Sequence, residues 1–129
     1  MLASRSPSGG ALLLRADSIM RLLSLNYADD WNYDLALAFA RRGDYAHAAA
    51  AVRRHFIDLL PLARLPILLR EEGRWAALAG DTTAALTAYR HYLMWREDPE
   101  PAFVAERDSV RAELAALEHA GRWLSANRR

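Results

Sequence analysis

Two stretches of this chain spell one pattern twice. Residues 35–52 run Leu-Ala-Leu-Ala-Phe-Ala-Arg-Arg-Gly-Asp-Tyr-Ala-His-Ala and on to Val52. Residues 72–89 run Glu-Gly-Arg-Trp-Ala-Ala-Leu-Ala-Gly-Asp-Thr-Thr-Ala-Ala and on to Tyr89. Each is an apolar helical run, a Gly-Asp break, and a second helical run opening on small residues. Gly43 and Gly80 lie 37 residues apart. A repeat of about that length marks stacked helix pairs. Glycine takes the left-handed conformation that ends a helix, and an aspartate after it caps the next one.

The rest of the chain fits an all-α reading. Its 129 residues suit one domain or a short array of helix pairs. Ala and Leu dominate, both strong helix formers, and β-branched residues are scarce. The net charge is +1 with acids and bases interleaved, so direct nucleic-acid binding is not expected. All 17 Lys+Arg positions are Arg, which codon usage in a GC-rich genome explains better than a demand for bidentate contacts. No cysteine is present, which excludes disulfides and thiol chemistry and fits a cytoplasmic protein. No apolar run approaches the ~18 residues of a membrane span. The apolar residues 11–14 are followed by Arg15 and Asp17, so no membrane association or signal peptide is expected.

The spacing predicts about six helices. Residues 1–10 read as a turn-rich, flexible start. A first helix covers 11–26, with Leu12, Ile19, Leu22, Leu23 and Leu25 at helical spacing. Asp29 or Asp30 caps a helix over 30–42 that stops at Gly43. Asp44 caps a helix over 45–60 with the stripe Ala48, Val52, Phe56, Leu59, closed by Pro61. Pro66 opens a helix that stops at Gly80, and Asp81 caps another over 82–96. Asp98-Pro99-Glu100-Pro101 is a stop and restart. A last helix over 101–120 ends at Gly121, leaving 122–129 as a frayed tail. One domain over 11–121 follows, with repeat units at 29–61 and 66–97 and a capping helix at 101–120.

These residues resemble the tetratricopeptide repeat. Leu35, Phe39, Gly43, Tyr45 and Ala48 match its large–large–Gly–aromatic–small pattern, with Pro61 near its closing proline. Gly73, Gly80, Ala85 and Tyr89 match in the second unit. The resemblance implies a short right-handed solenoid of antiparallel helix pairs. Ala48 and Ala85 would sit where two helices cross closely, and Tyr89 in the wedge between pairs. Val52 in place of an aromatic, and His55 and Tyr92 in place of alanine, depart from the pattern. Residues 80–93 and 109–117 also resemble the helical-repeat ends of bacterial signalling proteins and transcriptional activators.

Solenoids bind along the face lined by the first helix of each pair. The family's inward positions fall on Tyr33, Asp34, Leu37 and Arg41, then on Arg70, Glu71, Arg74 and Leu78. Arg107 and Arg111 repeat the i,i+4 spacing of Arg70 and Arg74. Converging arginines would favour an acidic peptide or carboxylate. The competing reading is a solvated face in which Glu71, Glu72, Glu106 and Asp108 neutralise them. Trp31, Trp75, Trp95 and Trp123 read mostly as core wedges, with Trp95 the first choice for an exposed anchor. His47, His55, His91 and His119 lack metal-ligand spacing, and no nucleophile elbow or phosphate loop exists.

A non-catalytic protein–protein interaction module is therefore expected, without cofactor or metal, in bacterial signalling or regulation. The chain would dimerise through an exposed repeat end if its caps cover poorly. The alternatives are a detached regulatory domain of a transcriptional activator, a plain helical bundle, and, as the least favoured, an enzyme in an all-α shell.

Overall fold

The computed structural model describes residues 7–23, 29–54 and 64–128. They form six α-helices and no strand: α1 (Pro7–Leu23), α2 (Asp29–Arg41), α3 (Tyr45–Val52), α4 (Leu65–Leu78), α5 (Thr82–Trp95) and α6 (Val104–Asn127). A single 3-10 turn, Pro101–Phe103, leads into α6. Each helix packs against its neighbours in the chain.

The two Gly-Asp breaks build the same joint. At the first, Gly43 has φ +79°. Its N–H donates to the Ala40 carbonyl, and the Asp44 N–H reaches back to Phe39. At the second, Gly80 has φ +82°, its N–H donates to Ala77, and the Asp81 N–H reaches Ala76. This pair of bonds satisfies carbonyls that the end of a helix leaves open. The aspartates then turn the chain into the next helix. Asp44 Oδ1 accepts from the His47 N–H at 3.3 Å, and Asp81 Oδ1 from the Ala84 N–H at 3.0 Å. Asp81→Ala should lower stability by about 1 kcal/mol. Asp44→Ala should cost somewhat more, because Asp44 also holds His47 Nδ1 at 2.9 Å. Urea unfolding of the two variants and their combination measures this, and the distant sites should add.

Equivalent positions of the two helix pairs, α2 with α3 and α4 with α5, are filled in matched ways. Ala48 and Ala85 are both fully buried. A Cβ added to Gly73 would lie 2.4 Å from the Tyr89 ring, so the missing side chain is what seats that ring. The same two register positions in the first helix pair hold Ala36 and Val52, both buried in one apolar cluster. A smaller partner on one helix accompanies a larger residue on the other. A second cluster, Leu65, Leu69, Tyr89, Tyr92 and Val110, joins α4, α5 and α6.

Buried polar residues clasp the N-terminal end. Asp17 on α1 accepts from Arg54 Nη2 at 2.6 Å and from Arg21 Nε at 2.9 Å. Arg54 Nε donates to Asn32 Oδ1 at 3.1 Å, and the Asn32 amide donates to the Arg54 carbonyl. Arg53 Nε donates to Glu72 at 2.7 Å and ties the end of α3 to α4. These bonds give Asp17, Asn32 and Glu72 the partners that burial demands.

Three boundaries differ from the sequence expectation. Helix α1 starts at Pro7, so Ser8, Gly9 and Gly10 are helical rather than a flexible lead-in. Proline's fixed φ suits a first turn, and Gly10 lies close under the Arg42 side chain. Helix α3 stops at Val52, where Arg53 and Arg54 turn away to their partners. Phe56, Leu59 and Pro61, expected to complete that helix, fall outside the described residues, as does His55. Helix α6 passes through Gly121 and continues to Asn127, so 122–127 is helix and not tail.

Candidate interaction surfaces

Helix α4 buries Leu65, Leu68, Leu69, Glu72, Trp75 and Ala76. Helical geometry then turns Ile67, Arg70, Glu71, Arg74 and Leu78 the other way. Ile67 and Leu78 are exposed, and Arg70 and Glu71 are half-buried. On this face the segment Arg70-Glu71-x-x-Arg74 forms a clip. Glu71 Oε1 lies 3.0 Å from Arg70 Nη2 and 3.6 Å from Arg74 Nη1. Helix α6 repeats it with Arg107-Asp108-x-x-Arg111. Asp108 Oδ1 lies 3.0 Å from Arg107 Nη2 and 3.7 Å from Arg111 Nη1.

The expected arginine groove is thus already neutralised in part. Arg70 Nη1 donates to Glu106 Oε2 at 2.6 Å, so this guanidinium cross-braces α4 to α6. Burial works against the charge of Arg70, but Glu71 and Glu106 outweigh it and raise its pKa. Arg74 and Arg111 hold only the long arms of their clips and remain exposed. The residues expected from α2 go elsewhere. Tyr33 and Leu37 pack against the core. Asp34 is exposed. Arg41 lines a cleft toward α1 with Gly9, Leu13, Ala38 and Arg42.

Two tyrosines seal the seam beneath the clips. The Tyr89 hydroxyl donates to Glu113, and the Tyr92 hydroxyl donates to Glu106 at 2.7 Å. Burial and then the bond to Glu106 push the Tyr92 pKa up to about 12. Burial and Glu113 raise that of Tyr89 as well. A raised tyrosine pKa means stability that is complete below the unfolded value of about 10 and fades as pH climbs to the folded value. Urea midpoints should therefore fall between about pH 10 and pH 12, and Tyr92→Phe should flatten that fall. An identical alkaline slope in wild type and variant would remove the assignment.

Tryptophan burial reverses the sequence expectation. Only Trp75 is in the core, at 5% exposure. Trp31 is 71% exposed, Trp123 61% and Trp95 40%. The large buried aromatics besides Trp75 are Phe39, Tyr89 and Tyr92. Trp95 is exposed as expected, beside the 75% exposed Met94. Just beyond, Arg96 lies 4.0 Å over the Phe103 ring and pins the α5–α6 loop.

A further surface had no signal in the sequence. An open cleft of about 540 Å³ runs between the start of α5 and the end of α6. Thr82, Leu86 and Arg90 form one wall, and Leu117, Gly121 and Arg122 the other. Arg90 Nη2 donates to Glu118 at 2.8 Å across it. Reading Gly121 as a stop hid this cleft, because its second wall needs α6 to continue.

Among the described residues, no group of three His, Asp or Glu side chains could hold a metal ion. None of the described helices is long and apolar enough to cross a membrane. No family model, curated protein or solved structure matches the chain.

Proposed function

We propose that this chain is a cytoplasmic, non-catalytic protein–protein interaction scaffold, built as a short right-handed solenoid of antiparallel helix pairs of the tetratricopeptide kind. The matching Gly-Asp joints support the repeat, and so does the burial of Ala48 and Ala85 at one register position. A role in bacterial signalling or regulation rests on the resemblance of residues 80–93 and 109–117 alone. Acidic side chains are spent on holding helices together: Asp17 with Arg54, Glu72 with Arg53, Glu106 with Arg70 and Tyr92, Glu113 with Tyr89.

One observation carries the interaction reading. Three of the four tryptophans stand exposed while smaller aromatics fill the core. Exposed tryptophans are frequent anchors of protein interfaces. Photo-crosslinking checks this. Benzoylphenylalanine placed at Trp31, Trp95 or Trp123 should give discrete protein adducts in a lysate of the source cell. The same label at Thr83, an exposed polar position, should not. Equal labelling from all four positions would overturn the reading.

A further inference from the structure

We propose that α1 is a latch: it opens and melts by itself while α2 to α6 stay folded, and the Asp17–Arg54 pair is its catch. The latch goes beyond the scaffold reading and does not depend on it.

Burial sets α1 apart. Helix α4, of 14 residues, seats Leu65, Leu68, Leu69, Trp75 and Ala76 in the core. Helix α1 is longer, at 17 residues, yet among its described side chains Asp17 alone is buried. Leu13, Ala16 and Met20 pack against the cluster that holds Ala36 and Phe39, and they are only half-buried. Leu12, Leu14, Ile19 and Leu22 are exposed. Hydrophobic stabilisation scales with the apolar area removed from water, so α1 gains much less from docking than α4 does.

The seat of α1 is also imperfect. A cleft of about 240 Å³ remains at its N-terminal half, lined by Gly9 and Leu13 on one side and by Ala38, Arg41 and Arg42 on the other. Gly9 and Gly10 weaken the helix itself relative to alanine. A lone helix of such length is marginal in water. Helix α1 therefore melts when it leaves its seat.

A directional contact holds it there. Asp17 accepts from Arg54 Nη2 at 2.6 Å, and Arg54 Nε donates to Asn32 Oδ1 at 3.1 Å. Carboxylate, guanidinium and amide thus tie α1, the end of α3 and the start of α2 at one point. Desolvation offsets much of the attraction within such a pair, but removing one partner strands the other. The docked state is precise and shallow at once. Elements that bury little open below the free energy of global unfolding. Opening of α1 uncovers the flank of α2 on which it packs, with Asn32 and Arg54 beside it. The fold thereby switches between a covered and an uncovered N-terminal end.

Hydrogen exchange of the full chain, followed residue by residue by NMR, tests the latch. Amides of residues 12–22 should exchange about a hundredfold or more faster than the slowest amides of α4 and α5, once intrinsic rates are divided out. Asp17→Ala removes the catch and should speed exchange in α1 by about fivefold or more. Asp81→Ala removes the cap of α5 and touches nothing on α1. It should speed exchange in α4 and α5 several-fold and leave α1 unchanged, because the latched and unlatched forms both keep α5. Equal protection of α1 and α4 would overturn the proposal. So would an Asp81→Ala effect of the same size in every helix, since α1 would then open only with the whole molecule. Unchanged α1 exchange in Asp17→Ala would overturn the Asp17–Arg54 pair as the catch.

Discussion

Gly73→Leu is expected to destabilise the chain by about 3 kcal/mol, the upper end for forcing atoms into a packed site. Even alanine would place a Cβ 2.4 Å from two atoms of the Tyr89 ring. Tyr89 is 1% exposed and its hydroxyl is tied to Glu113, so the ring has little room to retreat. Alanine gains about 1 kcal/mol of helix propensity over glycine, and the clash should exceed that gain. The first helix pair suggests the remedy, because Ala36 and Val52 occupy the equivalent positions and are buried in one cluster. Tyr89→Val loses a large side chain and is destabilising alone. Combined with Gly73→Ala it should cost clearly less than the two single changes summed. A double-mutant cycle from urea unfolding reads the coupling, and strict additivity would refute the seating of the ring by Gly73.

Removing Glu106 should be nearly as damaging. One carboxylate oxygen accepts from Tyr92, which is fully buried, and the other from Arg70. Arg70 Nε already lacks a hydrogen-bond partner. Glu106→Ala leaves the buried Tyr92 hydroxyl without its acceptor and the half-buried Arg70 with Glu71 alone, a loss on the order of 3 kcal/mol. Glu106→Gln keeps an acceptor oxygen and should cost less. The double change Glu106→Leu with Arg70→Met should recover the Arg70 share of the loss but not the share of the Tyr92 hydroxyl, because apolar pairs often replace ionic ones at little cost while the hydroxyl still lacks its acceptor. A double variant no more stable than Glu106→Ala would show that the brace does not act as a pair. Arg70→Glu would set two carboxylates against each other, so an anion-binding role for this face is tested through Arg74 and Arg111.

What the sequence made legible was local. The glycine-aspartate breaks, the helix starts at Thr82 and Tyr45, and the small residues at Ala48 and Ala85 depend on backbone conformation within a few residues. Gly121 was misread for a related reason. Gly43 and Gly80 are each followed by a capping aspartate, whereas Gly121 is followed by Arg-Trp-Leu-Ser-Ala, which continues the helix. The shared face of Arg70 and Arg74 was also legible, because spacing alone sets it. Their partners were not. Glu106 lies 36 residues from Arg70, and Asp17 lies 37 from Arg54. Such pairings depend on how helices stack, and helical periodicity does not encode that. The tryptophans failed likewise, since size predicts how much a side chain would gain by burial but not which rings the packing of the helices buries.

The sameness of the two joints bears on how such a chain lengthens. Residues 44–80 begin on the aspartate of one joint and end on the left-handed glycine of the next. An in-frame duplication of that stretch would place Gly80 before a new Asp44, and the copied Gly80 before Asp81. Both seams would keep the dipeptide that already turns the backbone, so the molecule can gain a whole cassette without inventing a corner.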